Sequence, residues 1–322
     1  MGRNMVEKFD ITGIGNAIVD VIADVNDDFL EDNNLRKGLM SLVDLESIKS
    51  ISKNIEIKAT VSGGSVANSI VALAQNNIKT AFIGKVGKDK VGNSFIEGLN
   101  KEQVTFASKA NTDESETGRC LVMVTPDAQR TMSTYLGISQ KLAANDIDED
   151  VISHSNIIYL EGYLWDLDDA QLAIKKAISL AKKNGKCVAF SVSDVFCIER
   201  FRDSFKDLVD NEADIIFANE EEIKSLYEKS DLNECLKMIK DKGKIFAITL
   251  GEKGAVIVHK DGIHNIESQK IDDLKDTTGA GDLFAAGFLL KYINGSDLIE
   301  CGNEGVNFAS QIIQVYGARL NR

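Results

Sequence analysis

The chain has 322 residues, of which 43% are hydrophobic and 27% charged, close to the composition of an average globular protein. The 50 acidic residues outnumber the 37 basic ones, and the formal net charge is -13. No nucleic-acid partner is expected, because proteins that bind nucleic acids neutralise phosphates with clustered cations and no Lys/Arg-rich run is present.

The cysteines and histidines indicate neither disulfides nor a zinc site. Five cysteines are scattered without a C-x-x-C pair, and the three histidines form no H-E-x-x-H pattern. The first ten residues lack the apolar stretch of a signal peptide. No uninterrupted apolar run reaches the roughly 18 residues of a membrane span. We therefore predict a reduced, cytoplasmic protein without a membrane partner.

Short apolar runs alternate with longer amphipathic stretches along the chain. The predicted strands are 11–15, 80–83, 157–160, 187–192, 215–218 and 245–249. The predicted helices are 65–75, 92–100, 168–184, 220–229 and 282–292. Buried strands separated by helices predict an α/β fold with a mostly parallel central sheet flanked by helices.

Two segments depart from this alternation. Residues 17–42 are predicted to be extended, and residues 117–136 are predicted to form a hairpin with its turn at 126–129. Strands outside the α/β alternation predict a small second sheet, a lid beside the main one. Because no linker or repeat is visible, we expect a single unit over 1–322, with the lid formed by about 17–42 and 112–136.

The string D-T-T-G-A-G-D at 276–282 precedes an apolar helical stretch. Gly279, Ala280 and Gly281 let successive backbone N–H groups turn inward as an anion-binding nest, and the helix N-terminus adds positive potential. Asp282 would lie beside this nest and stay ionised near neutral pH, because the helix dipole favours the anion. A phosphoryl group in the nest would meet an acceptor hydroxyl held by Asp282. The alternative is an aspartate that only caps a helix.

A second glycine turn, Gly63-Gly64, precedes a predicted helix with an apolar stripe at i, i+4, i+7 and i+8. Ser65 is the predicted N-cap, which places Asn68 in the first turn. There its amide and the free N–H groups of the helix suit a ligand with several hydroxyls. The alternative is an ordinary turn followed by a capped helix.

Further upstream, Asn16 and Asp20 lie four residues apart in a predicted strand, so both belong to one face. An acidic residue within the apolar run Ile18–Ile22 is costly to bury unless it is paired. Asp20 would therefore accept hydrogen bonds from sugar hydroxyls. The alternative is an edge-strand aspartate that faces water.

These motifs resemble those of the ribokinase-like (PfkB) carbohydrate kinase family. The string at 276–282 matches the second signature, D-T-x-G-A-G-D, completely, and G-G-x-x-x-N at 63–68 resembles the first signature region. G-x-G-N-x-x-x-D at 13–20 looks more like the adenosine-kinase branch than ribokinase itself. The resemblance implies a ribokinase-like fold with a β-sheet lid, an anion hole at 279–281 and Asp282 as the catalytic base. The substrate-binding candidates are Asn16, Asp20, Gly63, Gly64, Ser65 and Asn68.

Weaker motifs later in the chain resemble the nucleotide-binding regions of this family. Asn219-Glu-Glu-Glu222 reads as a capping box, and in the family an N-x-x-E motif is tied to magnesium and phosphate through water. The hairpin turn after residue 249 lies near the nucleotide in the family, and a late helix with Asn303 and Asn307 resembles the family's adenine-side helix. The nucleotide-binding candidates are therefore Asn219, Thr249, Gly251, Gly254 and Asn303, with Glu222 holding Mg²⁺ through water.

Two further expectations concern charged residues. Arg130 opens the second lid strand and is either a solvated surface residue or, as in adenosine kinases, an arginine that closes on the transferring phosphoryl group. Asp276 and Thr278, with the C-terminal loop, are candidates for a monovalent-cation site that would hold K⁺.

The sequence thus predicts an ATP- and Mg²⁺-dependent kinase acting on a primary hydroxyl of a small molecule. Adenosine is the preferred acceptor, from the spacing at 13–20, Thr117–Cys120 and Arg130; a free sugar such as ribose or fructose is the alternative. A dehydrogenase is disfavoured, because Ile18 stands where a dinucleotide fingerprint needs its third glycine. The third hypothesis is a non-catalytic, ligand-binding relative of these kinases. A monomer and a homodimer both remain open.

Overall fold

The computed structural model describes residues 7–53, 55–108, 115–127 and 129–320. Residues 112–114 of the predicted lid and residue 128 of the predicted hairpin turn lie outside the described residues. The strands are β1 (Phe9–Ile14), β2 (Ile18–Asp24), β3 (Met40–Leu42), β4 (Ile57–Gly63), β5 (Thr80–Ile83), β6 (Thr105–Phe106), β7 (Gly118–Val124), β8 (Arg130–Tyr135), β9 (Ser155–Glu161), β10 (Cys187–Ser191), β11 (Ile215–Asn219), β12 (Ile245–Thr249), β13 (Ala255–His259) and β14 (Gly262–Ile266).

The α-helices are α1 (Asp27–Asp32), α2 (Leu45–Ser52), α3 (Ser65–Ala74), α4 (Lys90–Lys101), α5 (Glu149–Ser153), α6 (Asp168–Lys183), α7 (Val195–Asp207), α8 (Glu220–Tyr227), α9 (Leu232–Lys240), α10 (Ala280–Ile293) and α11 (Leu298–Ile312). The helix predicted from residue 92 begins at Lys90, because the side chain of Asp89 caps it and accepts from Gly92 N at 2.7 Å. No helix in the described part of the chain is long and apolar enough to cross a bilayer.

The larger sheet orders its nine described strands as β14-β13-β12-β11-β10-β9-β1-β5-β6. Neighbours from β12 to β6 pair in parallel, and β13 and β14 add antiparallel strands at one edge. Along β9, Ile158 and Leu160 face one hydrophobic cluster with α5 to α9, whereas Ile157 and Tyr159 face another with α3, α4, α10 and α11. Helices therefore cover both faces, which confirms the predicted α/β class.

A smaller sheet orders its five described strands as β3-β8-β7-β2-β4. β2 lies inside it, parallel to β7 and antiparallel to β4, so Asp20 is not an edge-strand residue. The prediction that residues 17–42 are extended throughout is wrong over Asp27–Asp32. There Asn26 accepts from Phe29 N at 2.9 Å and starts α1, and Leu30 is buried against the sheet. β4 was not predicted from the sequence; its residues alternate between apolar and polar, but its first four are all exposed.

Candidate active site

A cavity of about 960 Å³ lies between the two sheets. Its walls come from the loops after β1, β9 and β10, from the carboxyl ends of β11 and β12, from the N-termini of α3 and α10, and from the inner face of the smaller sheet. In open α/β folds, ligands bind outside the carboxyl ends of the parallel strands. The cavity occupies that position.

The N-termini of α3 and α10 meet at Asp282. The hydroxyl of Ser65 donates to Asp282 Oδ1 at 2.6 Å, and Asn68 Nδ2 donates to Oδ2 at 3.0 Å. The prediction that Ser65 caps α3 is wrong, because the N-cap is Gly64 and Ser65 is the first helical residue. Ser65 therefore holds a carboxylate at the start of another helix.

Glu161 takes the place of the missing cap side chain. Its Oε2 accepts from Val66 N at 2.9 Å, and its Oε1 accepts from the backbone N and the Nδ2 of Asn16 at 2.8 and 3.1 Å. Gly64 has φ +99, and a Cβ there would collide with the carbonyl oxygen of Asn16, so this turn needs glycine. Nδ2 of Asn16 thus donates to Glu161, whereas its Oδ1 is buried and has no hydrogen-bond partner among the described residues. Asn16 lines the cavity, so this oxygen suits a ligand hydroxyl.

Burial sets the acidity of the carboxyl groups in this part of the cavity. It raises the pKa of Asp282, against the opposing effects of the hydrogen bonds from Ser65 and Asn68 and of the charge of Arg319. Burial also raises the pKa of Asp20 to about 6 and that of Glu161 to about 7. Loss of hydration therefore acts on the pKa of Asp282 in the opposite direction to the helix dipole from which its ionisation was predicted.

The glycine-containing loop lies beside Asp282. Gly279 is the N-cap of α10, at φ +78 and ψ 1, and Thr278, Gly279, Ala280 and Gly281 all line the cavity. A Cβ on Gly279 would lie 2.8 Å from Cα of Ala318. Ala280 N donates to the carbonyl oxygen of Thr277 at 3.2 Å, whereas the next N–H groups of this first turn have no intrahelical acceptors and are available to an anion.

Asn219 and Glu222 form the predicted capping box. Glu222 N donates to Asn219 Oδ1 at 2.8 Å, and Asn219 donates from its backbone N to Glu222 Oε2 at 2.8 Å and from Nδ2 to Oε1 at 2.6 Å. Both residues, together with Thr249 and Asp194, also line the cavity. Burial raises the pKa of Glu222 to about 7, with the charge of Asp194 adding to the effect. Asn219 and Glu222 can therefore cap α8 and face a ligand in the cavity at the same time.

Some predicted residues lie elsewhere. Gly251 and Gly254 flank the short turn between β12 and β13 outside the cavity lining, and Asn303 is exposed on α11. Gly63 lies outside the lining too, directly beneath the Asp20 carboxylate, which a Cβ at 63 would displace. None of these four residues lines the cavity, so their position does not support direct contact with a ligand bound there.

Arg130 and Asp276 form a buried ion pair of 2.8 Å, so Arg130 is not a solvated surface residue. Asp276 Oδ1 also accepts from Thr278 N at 3.0 Å, and Oδ2 accepts from Gly317 N at 2.9 Å. Arg130 additionally lies 5.8 Å from the centre of the Tyr316 ring. The guanidinium and the Gly317 amide therefore both contact Oδ2 of Asp276, whereas Oδ1 accepts from Thr278 N, and the K⁺ site at this carboxylate stays a prediction. Among the described residues, no group of three or more His, Cys, Asp or Glu side chains is placed to hold a metal ion.

The site residues that were not predicted from the sequence include Glu161, Arg319 and the cavity-lining Asp194. Glu161 follows the apolar run Ile157–Leu160 at the carboxyl end of a strand, a position that could have indicated it. Arg319 donates from Nε to Asn68 Oδ1 at 3.1 Å and from Nη1 to Ser62 Oγ at 3.2 Å. Nothing in the local sequence distinguishes this arginine from a surface residue.

A mostly parallel sheet covered by helices, a smaller sheet across its ligand-binding edge and a glycine-containing helix N-terminus together define a ribokinase-like fold. Residues 44–322 match the family described as pfkB family carbohydrate kinase. The chain therefore belongs to the PfkB family of carbohydrate kinases, and the predicted family and enzyme class are confirmed.

The solved structures similar to this chain include two at comparable identity. A probable sugar kinase protein from Rhizobium etli is 38% identical, with 97% of this chain and 95% of that chain covered and a TM-score of 0.89. The adenosine kinase from Sinorhizobium meliloti is 37% identical, with 98% and 96% covered and a TM-score of 0.90. Among curated relatives, the adenosine kinase of Saccharomyces cerevisiae is 27% identical over 94% of both chains. The relatives thus include sugar kinases and adenosine kinases.

Proposed function

We propose that this chain transfers the γ-phosphoryl group of ATP to a primary hydroxyl of a ribose-containing small molecule, with adenosine as the preferred acceptor. The observation that carries the proposal is the position of Asp282. Its carboxylate lies at the N-terminus of α10 beside Gly279–Gly281, and Ser65 and Asn68 join it to the α3 side of the cavity. A base and an anion-binding turn therefore share one cavity with hydroxyl-binding groups.

The expected mechanism uses Asp282 as the general base. Asp20 and Oδ1 of Asn16 accept hydrogen bonds from substrate hydroxyls and orient the sugar. The acceptor oxygen attacks the γ-phosphorus, its proton passes to Asp282, and the bond from the γ-phosphorus to the β,γ-bridging oxygen breaks, which releases ADP. Amides of the 279–281 turn offset the negative charge on the transferring oxygens.

The donor set at the other end of the cavity fits Mg²⁺ bound mainly through water. Glu222 already accepts two hydrogen bonds from Asn219, which leaves its outer lone pairs for water, and Asp194 lies near enough to affect its charge. Mg²⁺ keeps several waters and needs few direct carboxylates. When bound, the ion would neutralise charge on the ATP phosphates. Thr249 and Asn219 supply further polar groups toward the nucleotide.

The inner face of the smaller sheet favours a nucleoside over a free sugar. Apolar side chains from this sheet and its flanks line the cavity: Ile18, Met40, Leu42, Met132 and Leu136. An apolar wall suits a nucleobase, whereas a free sugar would leave it covered only by water. The kinase family excludes the dehydrogenase alternative. A free sugar remains the second candidate, since sugar kinases are among the relatives.

The test is ADP release measured across nucleosides and sugars with MgATP. Adenosine is expected to give the highest kcat/KM. Faster turnover of ribose or fructose would establish the sugar alternative instead. Ligand-dependent thermal stabilisation without ADP release would indicate a non-catalytic binding protein.

We expect kcat/KM to fall as the pH drops through about 6, the value to which burial raises the pKa of Asp20. Asp20 and Asp282 both work as anions, and burial raises both pKa values, so activity is present above these pKa values and is lost below them. Because the two carboxylates interact electrostatically, the acid limb of the pH–rate profile reports the titration of the pair and not of either group alone. A rate profile that stays flat down to the ordinary aspartate range, about pH 4, would contradict this expectation. Thermal unfolding over the same pH range controls for loss of folded enzyme.

A further inference from the structure

The C-terminal segment reaches into the candidate site. Gly317 N donates to Asp276 at 2.9 Å, and Ala318 packs so closely on Gly279 that a Cβ there would lie 2.8 Å from its Cα. Arg319 follows directly. The backbone that leads to Arg319 is therefore held by the two preceding residues, both of which contact the segment leading into α10.

Arg319 determines which way the amide of Asn68 faces. A guanidinium only donates hydrogen bonds, so the atom 3.1 Å from its Nε must be Oδ1 of Asn68. Nδ2 then faces Asp282, and donates to its Oδ2 at 3.0 Å. Asn68 thus lies between a group that can only donate and a carboxylate that accepts. This arrangement admits one amide orientation.

The same guanidinium carries positive charge close to the carboxylates. Its Nη2 is buried and has no hydrogen-bond partner among the described residues, and the charges of Asp20 and Asp282 both act on it. Burial lowers the pKa of Arg319 to about 10, which still leaves it cationic at neutral pH. The other titratable groups whose charge couples to Asp282 are Asp20 on β2, Tyr159 and Glu161 on β9, and Tyr163 in the following turn.

We propose that Arg319 is a positioning residue, which holds Asn68 in one orientation and, through it, aims and keeps ionised the carboxylate of Asp282. The inference rests on the proposed function, because it assigns Asp282 the role of base. Arg319 itself does not line the cavity, so it acts through its neighbours and not by touching the acceptor. Its fixed fork of N–H groups, which reaches Asn68 and Ser62 at once, makes lysine an incomplete replacement.

The experiment compares Arg319→Ala and Arg319→Lys with the wild type, using adenosine or whichever acceptor is turned over. Arg319→Ala is expected to lower kcat by about 10²-fold, the usual cost of a slightly misplaced catalytic group. Its acid limb should move to higher pH, because the cation that favours ionised Asp282 is gone. Arg319→Lys should keep the limb of the wild type with an intermediate kcat. Added guanidinium should partly restore Arg319→Ala.

Arg202→Ala is the matched control. Arg202 is also partly buried and bonds a backbone carbonyl, Ser225 O at 3.2 Å, but it lies outside the cavity lining. This variant is expected to keep the wild-type kcat and acid limb. Thermal unfolding and ATP binding show whether each variant is folded, and Arg319→Lys carries the test if Arg319→Ala does not fold.

An Arg319→Ala enzyme with the kcat and acid limb of the wild type would overturn the inference. So would a loss of kcat with an unmoved limb and no rescue by guanidinium, since that outcome indicates a structural role alone. A wild-type protein that releases no ADP with any acceptor contradicts the proposed function. In that case the role of Arg319 is tested by ¹³C-carboxyl NMR of Asp282 in the wild type and in Arg319→Ala. An unchanged titration of Asp282 overturns the inference, and a titration shifted to higher pH supports it.

Discussion

The Asp282→Asn enzyme is expected to lose about 10²- to 10⁴-fold in kcat, the usual contribution of a general base, while it keeps its fold and its affinity for ATP. Asparagine matches aspartate in shape. Its amide oxygen can accept from Asn68, and its NH₂ can donate to Ser65, because a hydroxyl both donates and accepts. The substitution therefore removes the base and leaves the contacts between α3 and α10.

The measurement is ADP release under saturating MgATP and acceptor, with nucleotide binding followed by thermal stabilisation. The control is Asp297→Asn, since Asp297 also lies at a helix N-terminus and accepts from Glu300 N at 2.8 Å, outside the cavity lining. Asparagine caps helices as well as aspartate does, so this control should leave kcat and ATP binding unchanged. Full activity in Asp282→Asn would remove the proposed mechanism.

Gly279→Ala is expected to lower kcat by about 10²- to 10³-fold, the range seen when a charge-stabilising donor is lost. Gly279 has φ +78, where a side chain costs roughly 1–2 kcal/mol. The added carbon would also lie 2.8 Å from Cα of Ala318, so the start of α10 or the C-terminal segment must move. Either movement displaces the N–H groups that are proposed to face the phosphoryl group.

Gly295→Ala is the matched control for backbone strain. Gly295 has φ +77, almost that of Gly279, and no atom lies within 4 Å of the carbon that would be added. Both variants should lose stability in chemical denaturation from the strained backbone, Gly279→Ala the more because of its contact with Ala318, but Gly295→Ala should keep its kcat. If Gly279→Ala loses no more activity than Gly295→Ala, the turn at 279–281 does not stabilise the transferring group.

Features that depend on neighbouring residues were predictable. The turn at Gly279–Gly281 and the Asn219–Glu222 capping box are built by residues within one helical turn of each other, so their geometry follows from local backbone preferences. The alternation of apolar strands and amphipathic helices likewise determines the α/β class, because each face must be covered by its own side chains. Strands 80–83 and 245–249 have the predicted bounds.

The tertiary structure decided which distant residues contact these locally built features. Asn68 and Asp282 are 214 residues apart, and Arg319 and Ser62 are 257 apart, so no local pattern relates them. The same holds for the pair of Arg130 with Asp276, which occupies the carboxylate expected for a cation. The pKa of Asp282 depends on how much water the folded chain removes from around it, and its helix dipole alone indicates the opposite direction. The sequence by itself therefore determined the class of fold and most of the chemical groups of the site, but not Glu161 or Arg319. Packing decided which groups meet and in which charge state, because the loss of hydration and the long-range contacts exist only once the chain is folded.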